Sequence, residues 1–143
     1  MAIDFTTDTG KRALERLQNE SIIWLTTTGS DGMPQPRPVW FAWADGKVYV
    51  FTFPGSAKVR HIERLGKTAV SFNTDAQGGD VVVFTGESTV LGQGAAPESA
   101  RQAYAAKYGQ FIPQMMNITV EQFFQNEVAI EFTPRKLRAG MGG

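Results

Sequence analysis

Cysteine is absent from the 143 residues, and histidine occurs once, as His61. Without thiols the chain forms no disulfide, no thiolate nucleophile and no thiolate metal site. Carboxylates can still hold a hard cation, but no clustered Asp/Glu pattern suggests one, and no metal is expected. Net charge is missing too. Fourteen basic residues balance fourteen acidic ones, so no global field draws the chain to nucleic acid or to an anionic membrane. Nothing approaches the ~20 apolar residues needed to cross a bilayer, and MAIDFTTDTGKR lacks the basic start and apolar run of a leader. These absences predict a cytoplasmic protein that meets its partner through a local pocket.

What is present fits one globular domain over residues 1–143. With 42% hydrophobic residues, a chain of this length buries roughly 68–70% of the surface its unfolded form would expose. Asp8 or Thr9 caps a predicted helix over Gly10–Asn19, with Ala13, Leu14 and Leu17 inward and Lys11, Arg12, Glu15 and Arg16 in water. Ser21–Thr28 is β-branched and aromatic, and Gly29–Gly32 supplies a reversal. In and just before PRPVWFAWA (Pro36–Ala44), Pro34, Pro36 and Pro38 lack ladder donors, which places the start of this strand at a sheet edge or outside regular pairing. Asp45-Gly46 predicts a hairpin joining Val39–Ala44 to Lys47–Phe53, a register that carries Arg37 beside Thr52 and Phe53. Lys67–Thr74 and Asp80–Leu91 read as further strands, with a bulge or bend at Gly86. A helix runs from Pro97 to Tyr108 and ends at Gly109. Phe111–Asn126 is irregularly amphipathic, with Ile118, Val120, Phe123 and Phe124 in a short helix. The last strand lies within Glu127–Arg138, and Gly140–Gly143 frays. Six strands, mostly hairpin-joined, predict a mainly β fold: an antiparallel barrel whose closure removes exposed edges.

The most informative stretch is KVYVFTFPGSAKVRHIERL, Lys47–Leu65. A strand stops at Pro54-Gly55, and a helix over Ala57–Leu65 carries Val59, Ile62 and Leu65 at helical spacing. Ser56 then falls at the N-cap, where unpartnered backbone N–H groups and the helix dipole favour an anion by roughly 0.3–1 kcal/mol. Lys58 and Arg60 stand in the first turn, where the dipole repels cations, so an anion such as phosphate accounts for their placement. The same residues also fit a solvated helix face opposite Val59, Ile62 and Leu65. The loop has neither G-x-x-x-x-G-K-[ST] nor G-x-G-x-x-G, so neither nucleotide fingerprint applies.

With Arg37-Pro38-Val39-Trp40-Phe41, Val48-Tyr49-Val50-Phe51-Thr52 and Pro54-Gly55-Ser56-Ala57-Lys58-Val59-Arg60 taken together, the chain resembles the pyridoxamine 5′-phosphate oxidase-like split β-barrel family. It looks closest to the flavin and deazaflavin dependent oxidoreductases of actinobacteria. The resemblance implies a six-stranded split barrel of the FMN-binding type and a site built at a homodimer interface. It further implies Ser56 and Lys58 as ligands of the cofactor phosphate, Arg60 as another, and Thr52 near the ring or ribityl chain. Arg37, Pro38, Val39 and Trp40 would line the ring. Ala57 stands where the true pyridoxamine phosphate oxidases carry a second basic residue, which counts against vitamin B6 oxidation.

The implied activity is that of an oxidoreductase in which reduced deazaflavin coenzyme F420 passes hydride to a small conjugated or electron-poor acceptor. Arg64, Lys11 and Arg12 would extend the track of Lys58 and Arg60 for its acidic tail. No catalytic residue stands out; Tyr49, Tyr104, Tyr108 or solvent are open as proton donors. The alternatives are an FMN-dependent reductase or oxidase, and a non-catalytic flavin, deazaflavin or haem carrier for which His61 is the natural ligand. Trp24, Trp40 and Trp43 read as core or interface aromatics, Trp40 being the one placed to meet a ring. Met115 and Met116 read as gap fillers, and Glu87 and Glu131 as solvent facing.

Overall fold

A computed structural model of the chain describes residues 2–140. Helix α1 (Asp8–Asn19) leads into β1 (Ile23–Thr28), β2 (Pro34–Val39), β3 (Ala42–Ala44) and β4 (Lys47–Thr52). Helix α2 (Ala57–Arg64) precedes β5 (Lys67–Ser71) and β6 (Val81–Leu91). Then α3 (Glu98–Tyr108), α4 (Phe111–Met116) and α5 (Val120–Asn126) lead to β7 (Val128–Gly140). Every ladder is antiparallel, in the order β2-β1-β5-β6-β7-β4-β3.

The two outermost strands of that order, β2 and β3, are separated in the chain by Trp40 and Phe41 alone. Three Cα steps reach at most about 11 Å. Seven flat strands at about 4.8 Å spacing would hold their outer members about 29 Å apart. The sheet must therefore curl until its edges approach, which makes the fold the mainly β, antiparallel split barrel that the sequence predicts.

Seven strands replace the expected six, because the strand read as Val39–Ala44 breaks at Trp40 and Phe41. The prolines explain the place of the strand before it. Pro34, Pro36 and Pro38 lie opposite Thr28, Thr26 and Trp24, alternate positions whose amide side faces away from β1. The outer rim of β2 thus offers no donors at these sites, and the strand sits at the sheet edge as expected. The predicted register for Arg37 fails because of the break: it pairs with Leu25 on β1, while β4 receives Ala42, Trp43 and Ala44. The backbone released at the break is satisfied by α3. Fully buried Phe41 donates its N–H to Tyr108 Oη at 3.0 Å, and its carbonyl accepts from Lys107 Nζ at 3.4 Å. Tyr108 passes its own proton to Ser21 O at 2.6 Å.

Two cores share the sheet. Val48 and Val50 of β4 point into the barrel with Leu25, Phe84 and Ile130. The alternate residues Tyr49 and Phe51 point outward, against Tyr104, Tyr108, Ile112 and Phe123 of the helices. Burial on both faces is why KVYVFT reads as an unbroken apolar run rather than an alternating one. The Asp45-Gly46 turn is as predicted, with φ of 53° and 74°. At Gly86 the β6–β7 register shifts, and a Cβ there would stand 2.0 Å from Thr133 O, which only glycine avoids.

Other expectations are corrected. The α1 cap is Thr7, whose Oγ1 accepts from Gly10 N at 3.0 Å. Arg16 is buried rather than in water: its guanidinium donates to Asp80 O at 2.7 Å and to Asn73 O at 2.6 Å, pairs with Glu20, and lies over the Phe72 ring. Glu131 is not solvent facing but half-buried, accepting from Tyr49 Oη at 2.9 Å and from Lys47 Nζ at 3.2 Å. Phe111–Asn126 forms two short helices, the second closed by a Thr119–Gln122 capping box. Gly140 pairs with Val81 instead of fraying; residues 141–143 lie outside the described residues. No helix among the described residues is long and apolar enough to cross a membrane.

Candidate functional site

The site begins where β4 ends. Thr52 is its last residue, Gly55 turns the chain with φ of 79°, and Ser56 caps α2, its Oγ accepting from Val59 N at 3.4 Å. The helix starts at the residue that the sequence indicates, and it carries Lys58 back toward the sheet. At the same end of the barrel Val128 of β7 pairs with Thr52, so Glu127, the C-cap of α5, arrives beside Thr52 and Phe53. Tyr104 of α3 and the Val39–Trp40 segment close the remaining sides.

The resulting cavity of about 260 Å³ is lined by Val39, Trp40, Phe51, Thr52, Phe53, Lys58, Tyr104, Met116, Phe123 and Glu127. Its walls are aromatic and fixed: Trp40 stacks on Tyr108 with centroids 4.4 Å apart, and Tyr104 meets Phe51 at 4.7 Å and Phe123 at 5.6 Å. Burial pushes the Tyr104 hydroxyl well above the usual phenol range and also raises the Glu127 carboxyl, so the interior disfavours negative charge on the protein's own groups. Half-buried Lys58 enters no hydrogen bond or ion pair among the described residues, and it is the only Lys or Arg side chain in the lining. Two larger concavities lie elsewhere. One, of about 1170 Å³, runs between the N-terminal segment and the far half of β7, and the other, of about 530 Å³, lies over β1, β5 and β6. Neither contains any of the predicted site residues.

Of those residues, Val39, Trp40, Thr52 and Lys58 converge on the small cavity. Ser56 stands two residues before Lys58, buried behind the lining. Arg37, Pro38 and Arg60 do not line it. Arg37 is exposed, with Nη1 donating to Pro36 O at 2.8 Å, and Arg60 turns onto Gly55 O at 2.5 Å. Arg64 is fastened to Thr28 O at 2.8 Å and Gly29 O at 2.5 Å, and Arg12 is neutralised by Asp80 and Glu15. His61 holds its Nδ1 2.8 Å from the buried Thr27 Oγ1. Among the tyrosines open as proton donors, Tyr49 and Tyr108 spend their protons on Glu131 and Ser21. Tyr104 alone of the three faces the cavity.

Sequence reasoning missed Glu127, Met116 and the phenylalanines of the lining. Glu127 had one usable signal, its place immediately before the last strand, but only the β4–β7 register reveals what that place adjoins.

The sequence matches the pyridoxamine 5′-phosphate oxidase family over residues 9–139. The chain belongs to that family. Among solved structures, this family member resembles the conserved hypothetical protein Rv2991 from Mycobacterium tuberculosis, with a TM-score of 0.75 and 20% identity over 98% of this chain and 88% of that one. An F420 reductase matches with a TM-score of 0.61 and 17% identity, over 87% and 94% of the two chains. HutZ, a heme storage protein from Vibrio cholerae, matches with a TM-score of 0.64 and 14% identity, over 92% of each. At these identities the likeness shows the shared fold. No curated protein matches the chain.

Proposed function

We propose that the protein is an oxidoreductase that binds reduced deazaflavin coenzyme F420 and transfers hydride to a small conjugated or electron-poor acceptor. The observation that carries this reading is the convergence of Lys58, the one cation in the lining and without a partner among the described residues, with Thr52 and the Val39–Trp40 wall in an aromatic cavity beside a helix N-terminus. Lys58 suits a phosphate, supported by the N-terminal turn of α2 and the Ser56 hydroxyl. The Trp40 ring, braced by Tyr108, suits one face of a flat heterocycle. The bound coenzyme supplies the hydride; the chain binds it, orients it and keeps water from the reacting face. The proton that an acceptor would need beside that hydride would come from solvent or from the Tyr104 hydroxyl, which lines the cavity. Ligand cavities usually span about 300–1000 Å³. A space of 260 Å³ therefore takes one part of such a coenzyme, and the homodimer implied by the resemblance would supply the rest.

An FMN enzyme is the second reading. It is favoured by the lone lining cation: one ammonium matches one phosphate, whereas Arg60 and Arg64 already engage backbone carbonyls. Titrating the purified protein with FMN and with F420 separates the two. Micromolar affinity for F420 with a colourless isolated protein supports the first reading, and a yellow protein that keeps its flavin through gel filtration supports the second. A folded protein that binds neither sinks both.

A further inference from the structure

Glu127 carries an assignment that rests on the reading above. Its backbone is pinned between α5 and β7: its N–H donates to Phe123 O at 3.0 Å and its carbonyl accepts from Gly94 N at 3.3 Å. The side chain lines the cavity. Its Oε2 is sealed from solvent, and no donor among the described residues reaches it. Buried carboxylate oxygens are ordinarily matched by donors, since an unmatched buried charge costs more than the ~1–3 kcal/mol of an unmatched neutral group. Lys58 lines the same space but makes no ion pair with Glu127. The cavity thus holds an acceptor without a donor and a donor without an acceptor, with aromatic rings around them.

We propose that Glu127 is a recognition residue, accepting a hydrogen bond from an N–H or O–H donor on the bound cofactor while Lys58 takes the cofactor's anionic group. The site reads its ligand at two points of opposite polarity. A flat apolar molecule leaves both groups unmatched, and a molecule that brings negative charge to the Glu127 side is repelled. Neutral or cationic donors on a conjugated ring, joined to an anionic tail, satisfy both.

The test uses the full chain with Glu127→Leu, Glu127→Gln and Lys58→Ala, each titrated with FMN and with F420 and each unfolded thermally without ligand. Relieved of a sealed carboxylate oxygen that has no donor among the described residues, both Glu127 variants are expected to unfold at the wild-type temperature or above. Glu127→Leu is expected to bind the preferred cofactor at least tenfold more weakly, and Glu127→Gln, which keeps one acceptor oxygen, less so. A purely structural carboxylate would give the opposite pair: a lower unfolding temperature and unchanged affinity in the folded fraction. Unchanged affinity in Glu127→Leu, with weakened binding in Lys58→Ala, overturns this assignment and leaves the proposed function standing. A wild-type protein that binds neither cofactor overturns both.

Discussion

Lys58 stands where a helix of this polarity should not carry a cation, in the first turn of α2. Its charge is unmatched by the described protein groups, so under the proposed function its replacement should cost ligand binding more than stability. Lys58→Ala is expected to weaken cofactor affinity by about 1.5–3 kcal/mol, the range for a charge-assisted hydrogen bond, as measured by fluorescence titration. Ser56→Ala is expected to show the reverse emphasis. The Ser56 hydroxyl already accepts from Val59 N at a long 3.4 Å, so its loss costs about 0.5–1 kcal/mol of folding free energy in urea unfolding and less than Lys58→Ala in affinity. The sequence showed both residues because a polar cap and misplaced cations are local signals. Glu127 carries no such signal, since a lone carboxylate at a helix end looks like any solvated residue.

At the scale of elements, α3 holds the place where the barrel's strand breaks. Tyr108 accepts from Phe41 N and donates to Ser21 O while its ring backs Trp40. Tyr108→Phe keeps the ring and strands these backbone groups, with an expected loss of about 1–3 kcal/mol in denaturant unfolding. Gly86 is the counterpart on β6. Gly86→Ala drives a methyl against Thr133 O and should cost about 3 kcal/mol, read as a lower urea midpoint. The bulge at Gly86, the turn at Asp45-Gly46 and the edge position of the proline-rich strand were all legible, because each follows from what Gly, Asp or Pro backbones permit. The break at Trp40 and Phe41 was not. The apolar pattern runs straight through it, and the groups that satisfy the freed backbone come from a helix 67 positions later. Arg37 was misplaced as a direct result, and Arg16 was misread because its partners Asn73 and Asp80 are equally remote.

For the molecule as a whole, three tyrosines buried among helix and sheet set an alkaline limit. Burial raises the Tyr108 hydroxyl to about 12 and pushes those of Tyr49 and Tyr104 higher still. In the unfolded chain each ionises near 10. Above that pH the native state holds more protons than the unfolded state, so stability falls as pH rises from 10 towards and beyond 12. Burial also lowers the Lys107 ammonium to about 8, so the native state sheds that proton first. Thermal unfolding between pH 8 and 11 should therefore show stability rising towards pH 10, then declining as the tyrosines ionise in the unfolded chain, and Tyr108→Phe should make the decline shallower. The overall fold was readable from strand composition and turn chemistry, and the family resemblance assembled those pieces. Neither disclosed how the cylinder is shut. A dipeptide tethers its first and last staves, and the same dipeptide presents Trp40 to the cavity. Lengthening the chain between residues 39 and 42 would let those staves drift apart and carry the indole off its brace. The hoop that holds the vessel together is also the rim of its mouth, and spare residues are better tolerated in the exposed loop around Gly78.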